Sequence, residues 1–419
     1  MSTVREPRRR RASSDALRNS LPGIALVLAS VLPSALSPTP RPAQPFAAAP
    51  PAASAPASPG APATAPASGQ PNGNLQIHFI DVGQGDGAIL ISPRGQTVLF
   101  DNGKRGNCGL PVSYLEQLGI TKIDYMVASH YHDDHIGCTN EVLGEFPLQV
   151  TAFDRGGSYN SATFNKYVTK VGGKRQTATP GMVVTLDEGS DSPVRVEFVA
   201  LNAATSDGQI IATTNENDLS VVAVVRFSNF DAVMGGDLSG FKTGSYEDIE
   251  TGVATKVGQV EVYKVNHHGS MYSSNDNWLA TLKPKVGIIS TGAGNDYGHP
   301  TQDCLDRLHA AGIKTYWTQT GEGVEPEPGL DVVGKNIVVQ AAPGGATFTV
   351  TYNFQNVDTY PLWGAPQDAV GPAPTLAWSK NSPRYHFADC SYVSNINPAN
   401  LQQGSTPPPG KTQHEDCPR

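Results

Sequence analysis

Positive charge is scarce in this chain beyond its first twenty residues. Residues 1–20 contain six arginines and two acidic residues, whereas the whole 419-residue chain carries a formal charge of −8. The part that follows residue 20 therefore carries −12. A surface this acidic repels polyphosphates. Tight nonspecific binding of nucleic acid is not expected, although DNA is not excluded as a substrate.

The sequence also lacks the motifs that typically surround a nucleophilic serine or cysteine. The sequence contains no Gly-x-Ser-x-Gly motif, and its five cysteines form no pattern typical of a Cys/His nucleophile pair. If the chain is a hydrolase, its nucleophile is therefore expected to be water.

The apolar stretch at residues 21–36 is short for a membrane span and is interrupted by Pro22 and Pro33. It lies between the basic start and a run of small residues, which is the order found in secretory signal peptides. We expect residues 1–36 to be a cleaved signal peptide and the body to be secreted or periplasmic, without stable membrane insertion after cleavage. An uncleaved N-terminal anchor is the alternative. Residues 37–73 are almost wholly Pro, Ala, Ser and Gly, which predicts a disordered linker.

Histidine and aspartate, by contrast, are concentrated at residues 130–135, within SHYHDDHIGC. Clustered carboxylates and imidazoles lower stability unless a cation lies among them, so the cluster predicts a metal site. It directly follows IDYMVASH, a strand-like segment. On an extended chain His130 and His132 point the same way, and the following turn brings Asp134 and His135 to the same place from another side. Two pairs of ligands can hold two adjacent metals.

Strand-like segments precede the other histidine motifs as well. LQIHFIDV, GAILIS and QTVLFD predict three strands near the start of the folded region. VEVYKV ends at the motif HHGS, and VGIIST is followed by a glycine-rich loop that ends at His299. The candidate ligands are therefore expected just beyond strand ends.

Six motifs occur in register within about residues 75–320: DVGQGD, LFDNG, SHYHDDHIG, MGGDL, VNHHGS and YGHPT. With them the chain resembles the metallo-β-lactamase superfamily, in particular the hydrolase domain of ComEC-type competence proteins and the related secreted phosphorylcholine esterases. The resemblance implies an α/β fold, a four-layer αββα sandwich with a dinuclear metal site at an edge where strand ends meet. We expect this domain at residues 74–356, with a C-terminal β extension formed by a hairpin around a Pro-Gly-Gly turn.

The resemblance also implies roles for individual residues. His130 and His132 would hold the first metal, and Asp134 and His135 the second. Asp237 in MGGDL matches the carboxylate that bridges the two ions. Two further aspartates would support the ligands from behind: Asp101, which orients a ligand histidine through its free ring nitrogen, and Asp86.

The chain departs from the commoner superfamily pattern because no histidine lies between the HxHxDH loop and Asp237. The stretch NENDLSVVAVV, residues 215–225, stands there, similar to an asparagine-rich stretch of the ComEC-like branch. In that branch later histidines complete the site. His267 or His268 would close the first metal and His299 the second. We favour His267 as the ligand, which leaves His268 either to support a ligand from behind or to face the substrate.

Two cations bridged by an aspartate and a water would lower the pKa of that water and generate a hydroxide nucleophile. Asp134 is a candidate proton acceptor, and His268, Ser270 or Tyr297 could stabilise developing charge or protonate the leaving group. Imidazole and carboxylate ligands suit Zn²⁺ but also admit Mn²⁺ or Fe²⁺.

The resemblance implies phosphodiester hydrolysis. We expect a secreted, metal-dependent phosphodiesterase or nuclease-type enzyme that acts on a small-molecule or phosphodiester substrate. A β-lactam or lactone hydrolase is the alternative, because the same hydroxide attacks carbonyl groups. A non-catalytic binding protein on the same scaffold is an alternative of another class. The sequence does not indicate the oligomeric state.

A second linker is expected at residues 357–378, followed by a small Cys/His-containing segment at residues 379–419. Four side chains in this segment could hold a zinc ion: His386, Cys390, His414 and Cys417. A disulfide between Cys390 and Cys417 is the alternative that a secreted chain favours.

The remaining cysteines are Cys108, Cys138 and Cys304. The first two flank the metal loop, so we expect a disulfide that pins it. Cys304 is expected to be a free, buried packing residue.

Overall fold

The computed structural model describes residues 70–365, 376–387, 390–404 and 411–413. The predicted signal peptide and nearly all of the predicted linker at residues 37–73 lie outside these ranges, as do His414 and Cys417. Within them, no helix is both long enough and apolar enough to cross a membrane.

The strands in chain order are β1 (Leu75–Phe79), β2 (Gly87–Ile91), β3 (Thr97–Asn102), β4 (Ile123–Val127), β5 (Leu148–Asp154), β6 (Arg175–Thr177), β7 (Val183–Leu186), β8 (Val194–Ala200), β9 (Val222–Phe227), β10 (Phe230–Met234), β11 (Gly240–Thr243), β12 (Tyr246–Asp248), β13 (Val262–Lys264), β14 (Val286–Ile289), β15 (Lys314–Trp317), β16 (Asp331–Val333), β17 (Ile337–Ala341), β18 (Thr347–Tyr352), β19 (Asn356–Pro361), β20 (Leu376–Ser379), β21 (Arg384–Phe387), β22 (Leu401–Gly404) and β23 (Thr412–Gln413). The α-helices are α1 (Gly109–Gln117), α2 (Asp133–Ile136), α3 (Thr139–Glu145), α4 (Ala162–Val171), α5 (Glu250–Val257), α6 (Asp276–Leu282) and α7 (Gln302–Ala310).

Two large sheets face each other across the main core. The nine-stranded sheet has the order β19-β18-β17-β1-β2-β3-β4-β5-β6, and the eight-stranded sheet has the order β16-β15-β14-β13-β10-β9-β8-β7. On β2, Ala88 and Leu90 pack with residues of the other sheet such as Phe198, whereas Ile89 and Ile91 point to the opposite face. Both faces of this strand are apolar because both are covered.

Helices cover the outer face of each sheet. On the nine-stranded sheet, Leu115 of α1 and Phe164 of α4 pack in one cluster with Met126 of β4. On the eight-stranded sheet, helices α5, α6 and α7 form a third apolar cluster, which includes Trp278 and Leu305. The four layers confirm the predicted αββα sandwich.

The C-terminal extension adds strands to one edge of the nine-stranded sheet. β17 pairs with β1, and β18 folds back on β17 after the Pro-Gly-Gly turn, as predicted. The structure differs from the predicted linker at its start, because residues 356–361 form β19 and pair with β18 along their whole length. The ring of Tyr360 stacks on Phe348, and Asp358 accepts from Nζ of Lys314 at 2.7 Å, so these side chains stabilise the strand. The predicted linker also differs at its end, because residues 376–379 form β20. The other predicted boundaries stay predictions.

The tail contains a separate small sheet with the order β22-β20-β21-β23. Cys390 is disulfide-bonded in this segment, which favours the predicted disulfide over a zinc site. Cys417, its predicted partner, lies outside the described residues.

Candidate metal centre

The carboxyl ends of neighbouring parallel strands carry the predicted site residues. β3 and β4 are parallel neighbours in one sheet, and β10, β13 and β14 are parallel neighbours in the other. Parallel strands end at the same edge of a sheet, so the loops that follow them lie close together. These loops and strand ends hold Asp101, the HxHxDH segment, Asp237, the two histidines of HHGS and His299.

Asp237 is the carboxylate around which the imidazoles gather, and it is 2% exposed. Its Oδ2 lies 3.3 Å from Nε2 of His135 and 3.8 Å from Nε2 of His130, and its Oδ1 lies 3.5 Å from Nε2 of His268. The ligand atoms of His130, His135 and Asp237 all lie within 4.8 Å of one another. Those of Asp134, His135 and His268 form a second such group. The two groups share His135.

His132 adjoins the first group. Its Nδ1 lies 3.0 Å from Nε2 of His130, so these ring nitrogens face the same place, as the extended segment predicts. His132 also lines the cleft above the site.

The atoms that converge here are suited to a cation. Within the described part of the chain, Nε2 of His135, Nε2 of His268 and Oδ1 of Asp237 are buried and have no hydrogen-bond partner. The other ring nitrogen of each histidine is held from behind: Nδ1 of His135 lies 2.8 Å from Oδ2 of Asp101, and Nδ1 of His268 lies 2.9 Å from the carbonyl oxygen of Ser290. Metal-binding histidines are held in this way. The residues therefore fit the divalent metals that the fold implies.

The two predicted supporting aspartates both contact this group. Asp101 accepts from the backbone N–H of Ser129 at 2.8 Å and from its hydroxyl at 2.6 Å, in addition to its contact with His135. The backbone N–H of Asp86 donates to the carbonyl of Asp134 at 3.0 Å, and its Oδ1 lies 3.2 Å from Nδ1 of His268. A side chain at Gly85 could not be accommodated, because its Cβ would lie 2.2 Å from the carbonyl oxygen of Asp134.

His267 and His268 are adjacent but lie in different surroundings. Both have left-handed backbones, with φ of 50° and 55°. Nε2 of His267 lies 3.1 Å from Nδ2 of Asn217, and within the described residues its buried Nδ1 has no hydrogen-bond partner. The side chain of His267 is 12% exposed and that of His268 is 2% exposed. The geometry groups His268 with the second set of ligand atoms, whereas Nε2 of His267 lies 3.8 Å from Oδ2 of Asp237. Both histidines line the cleft, so the assignment of His267 as the ligand stays a prediction.

His299 stands at the border of the site. Its ring centroid lies 5.4 Å from that of His267 and 6.4 Å from that of His268. Its ligand atoms do not belong to any of the compact groups formed by the described residues. Its expected role as a ligand of the second metal stays a prediction.

A cleft of about 420 Å³ opens over these residues. The rings of Tyr246 and Tyr272 stack at 4.8 Å on its wall, and Tyr297, which is 59% exposed, stacks on His299 at 5.9 Å. Ser270 also lines the cleft, and its Oγ accepts from the backbone N–H of Tyr272 at 3.3 Å. Aromatic faces of this kind suit an organic substituent on a substrate.

The histidines of the site fall into two groups, those whose pKa is raised by neighbouring carboxylates and those whose pKa is lowered by burial. Burial opposes protonation of His135 and His268, but Asp237, together with Asp101 or Asp86, raises their pKa well above the usual value. Burial lowers the pKa of His267 to about 4 and that of His299 to about 3. His267 and His299 are therefore neutral at pH 7.

Glu216 was not identified from the sequence, yet it holds the HxHxDH loop. Its Oε1 accepts from the backbone N–H of Tyr131 at 3.0 Å and from Nε of Arg155 at 2.8 Å, and its Oε2 accepts from Nη2 of Arg155 at 2.6 Å. The guanidinium lies 4.3 Å from the ring centroid of Tyr131, which is fully buried. This buried ion pair fixes the residue between His130 and His132. The only sequence signal was its place in NENDLS, where the usual histidine is missing.

The expected disulfide between Cys108 and Cys138 is confirmed, with Cα atoms 5.1 Å apart. The backbone N–H of Cys138 also donates to Oδ1 of Asn102 at 2.8 Å. The segment after β3 is thereby tied to the end of the HxHxDH loop. Cys304 is buried and is the free cysteine among the described residues, as expected.

Comparison with known proteins agrees with this fold. Residues 85–199 match the family model of the metallo-beta-lactamase superfamily. The match confirms the predicted resemblance to that superfamily.

Two curated relatives match at modest identity. ComE operon protein 3 of Bacillus subtilis (strain 168) is 24% identical over 261 residues, which cover 58% of this chain and 32% of that protein. Recombination protein 2 of Haemophilus influenzae is 27% identical over 243 residues, which cover 56% of this chain and 26% of that protein. The chain thus matches about a third or less of the length of these relatives.

Two solved structures are similar to this chain at low identity and low TM-score. The metallo-beta-lactamase fold protein YhfI from Bacillus subtilis has a TM-score of 0.38 and 12% identity, over 64% of this chain and all of that chain. A diphosphatase from the PhnP family has a TM-score of 0.34 and 13% identity, over 62% of this chain and 94% of that chain.

Glu216→Gln should lower the free energy of unfolding of the metal-free protein by about 3–5 kcal/mol, because it leaves the buried Arg155 guanidinium without a counter-charge. Urea denaturation measures this. Glu197→Gln is a matched control, since it breaks a half-exposed pair with Arg226 and should cost at most about 1 kcal/mol. Equal costs for the two variants would contradict the special role of the buried pair.

Proposed function

We propose that this chain is a metal-dependent hydrolase of phosphodiesters. The observation that carries the proposal is the convergence of buried, unpartnered atoms of His135, His268 and Asp237 below an open cleft. The metallo-beta-lactamase domain supports metal-dependent hydrolysis as the class of reaction. The proposal includes two divalent ions, with His135 a ligand of only one of them, because its Nδ1 is held by Asp101 and Nε2 alone is free to bind. Zn²⁺ is the favoured ion, and the ligands also admit Mn²⁺ or Fe²⁺.

Divalent cations in such a site supply Lewis acidity for attack by water on a bound ester. The residues of the chain provide orientation and proton transfer. Asp101 fixes the ring of His135, and Asp86 with the Ser290 carbonyl fixes that of His268. His267 is neutral and lines the cleft, and its Nε2 can accept a hydrogen bond or a proton from a substrate group that displaces the Asn217 amide.

One consideration favours a phosphodiester over a carbonyl substrate, and two others concern the kind of phosphodiester. The motifs DVGQGD and HHGS are those of the ComEC-like branch, and matching relatives are named for recombination and competence. The tyrosine wall suits an organic substituent. The acidic body favours a small phosphodiester over a long polyanion, so DNA is the less favoured substrate. A β-lactam or lactone hydrolase stays the alternative.

Purified protein should bind two divalent ions per chain by elemental analysis and should hydrolyse bis(4-nitrophenyl) phosphate in a chelator-sensitive way. Asp237→Asn should lower kcat/KM more than loss of either HHGS histidine, because its two oxygens face histidines of both ligand groups. The unaltered, metal-loaded protein is also assayed with a chromogenic cephalosporin and with a lactone. Turnover of only these carbonyl substrates would refute the phosphodiesterase proposal. Absence of turnover by the metal-loaded protein would favour a binding protein.

His268→Ala should weaken the binding of one metal by about 10–100-fold or more, whereas His267→Ala should retain both metals and lower kcat by about 10²–10⁴-fold. The expected difference arises because only His268 is held from behind and grouped with Asp134 and His135. Metal titration and steady-state kinetics of both variants measure it. Metal loss in His267→Ala alone would support the assignment favoured from the sequence.

We also propose that the protein is exported. The N-terminal residues have the order of a signal peptide, and the Cys108–Cys138 disulfide supports an oxidising compartment. In a bacterial host the chain should accumulate outside the cytoplasm and begin near residue 36, as N-terminal sequencing would show. Full-length chain in the membrane fraction would instead support the uncleaved anchor.

A further inference from the structure

Lys264 is a buried cation beneath the ligand cluster. It ends β13, is 4% exposed, and its ammonium forms an ion pair with Oδ2 of Asp86. Both residues line an internal cavity of about 30 Å³, together with Asp101 and Ser129. An ammonium is costly to bury unless it is paired, so its presence at this depth depends on the carboxylate.

Asp86 lies between several groups that could bind its two carboxylate oxygens. Oδ1 lies 3.2 Å from Nδ1 of His268, and Oδ2 lies 3.8 Å from Nδ1 of His135. Asp86 also forms compact groups of possible metal ligands, one with Asp237 and His268 and another with Asp101 and His135. By position alone, Asp86 could either support His268 or bind a cation itself.

We propose that Lys264 is a positioning residue that decides between these two roles. Its ammonium holds Oδ2 of Asp86, so that the carboxylate stays behind His268, with Oδ1 3.2 Å from Nδ1 of that ring, and does not bind metal. Among the described lysine and arginine side chains, Lys264 is the one that forms an ion pair with any of the four clustered aspartates Asp86, Asp101, Asp134 and Asp237. The inference rests on the metal centre of the proposed function.

Lys264→Met tests the proposal, because methionine keeps the length of the side chain and removes its charge. Metal-free protein is titrated with Co²⁺ without substrate, and the absorption spectrum of the bound ion is recorded. Lys264→Met should alter the spectrum, because a freed Asp86 carboxylate joins the ligands. The double variant Lys264→Met/Asp86→Asn should not show this alteration. An unaltered spectrum in the single variant, or the same alteration in both, would overturn the proposal.

Lys285→Met is a matched control, since that lysine lies over the ring of Trp363 outside the cluster, and its spectrum should equal that of the unaltered protein. If Lys264→Met does not fold, Asp86→Asn decides through the spectrum: because Asp86 is not a ligand under the proposal, the bound Co²⁺ should keep the spectrum of the unaltered protein, even if one affinity falls by about 10–100-fold. A spectrum that shows the loss of a carboxylate ligand would overturn the proposal. Failure of the unaltered protein to bind Co²⁺ would instead overturn the metal centre itself, and with it this inference.

Discussion

Repulsion among buried carboxylates is the constraint on which the rest of the site depends. Asp86, Asp101, Asp134 and Asp237 meet at one edge of the sandwich, and burial alone would favour their neutral forms. Although burial opposes it, neighbouring cationic groups hold the pKa of Asp86 and Asp237 below the usual value. In the chain alone these cationic groups are Lys264 and protonated imidazoles. Divalent cations displace such protons from histidine, so metal binding and proton release are coupled at this site.

The sandwich provides rigidity where this charge accumulates. Strands from both sheets end at the site, and each following loop is held at a second point. The Cys108–Cys138 bridge and the Glu216–Arg155 pair hold the HxHxDH loop from two sides. Asn266, just before the HHGS histidines, donates to the buried carboxylate of Glu250 at 2.8 Å. A loop restrained at both ends can keep a strained backbone, such as the left-handed φ of His267 and His268.

The four-layer sandwich followed from the resemblance of six motifs to a known superfamily. Local sequence patterns predicted several strands, the C-terminal hairpin and the position of site residues just beyond strand ends. They could not reveal Glu216, because its partner Arg155 is 61 residues away and the pairing exists only in the folded chain. Lys264 lies in an apolar strand, where its depth cannot be inferred from alternation. β19 was taken for linker because Pro361 and Asp358 are unusual in strands, and its stabilising contacts are likewise long-range. The distinction between His267 and His268 depends on backbone angles that no spacing encodes.

Residues 215–225, the stretch without the histidine that is usual in the superfamily, have a different role in this chain. Glu216 restrains the residue between His130 and His132, while the next residue, Asn217, places its amide 3.1 Å from His267. An amide that donates to Nε2 directs the ring proton of a neutral histidine to Nδ1. Within the described residues Nε2 of His267 is therefore occupied and its Nδ1 is buried, so a substrate group reaches the ring only by displacing the Asn217 amide from Nε2.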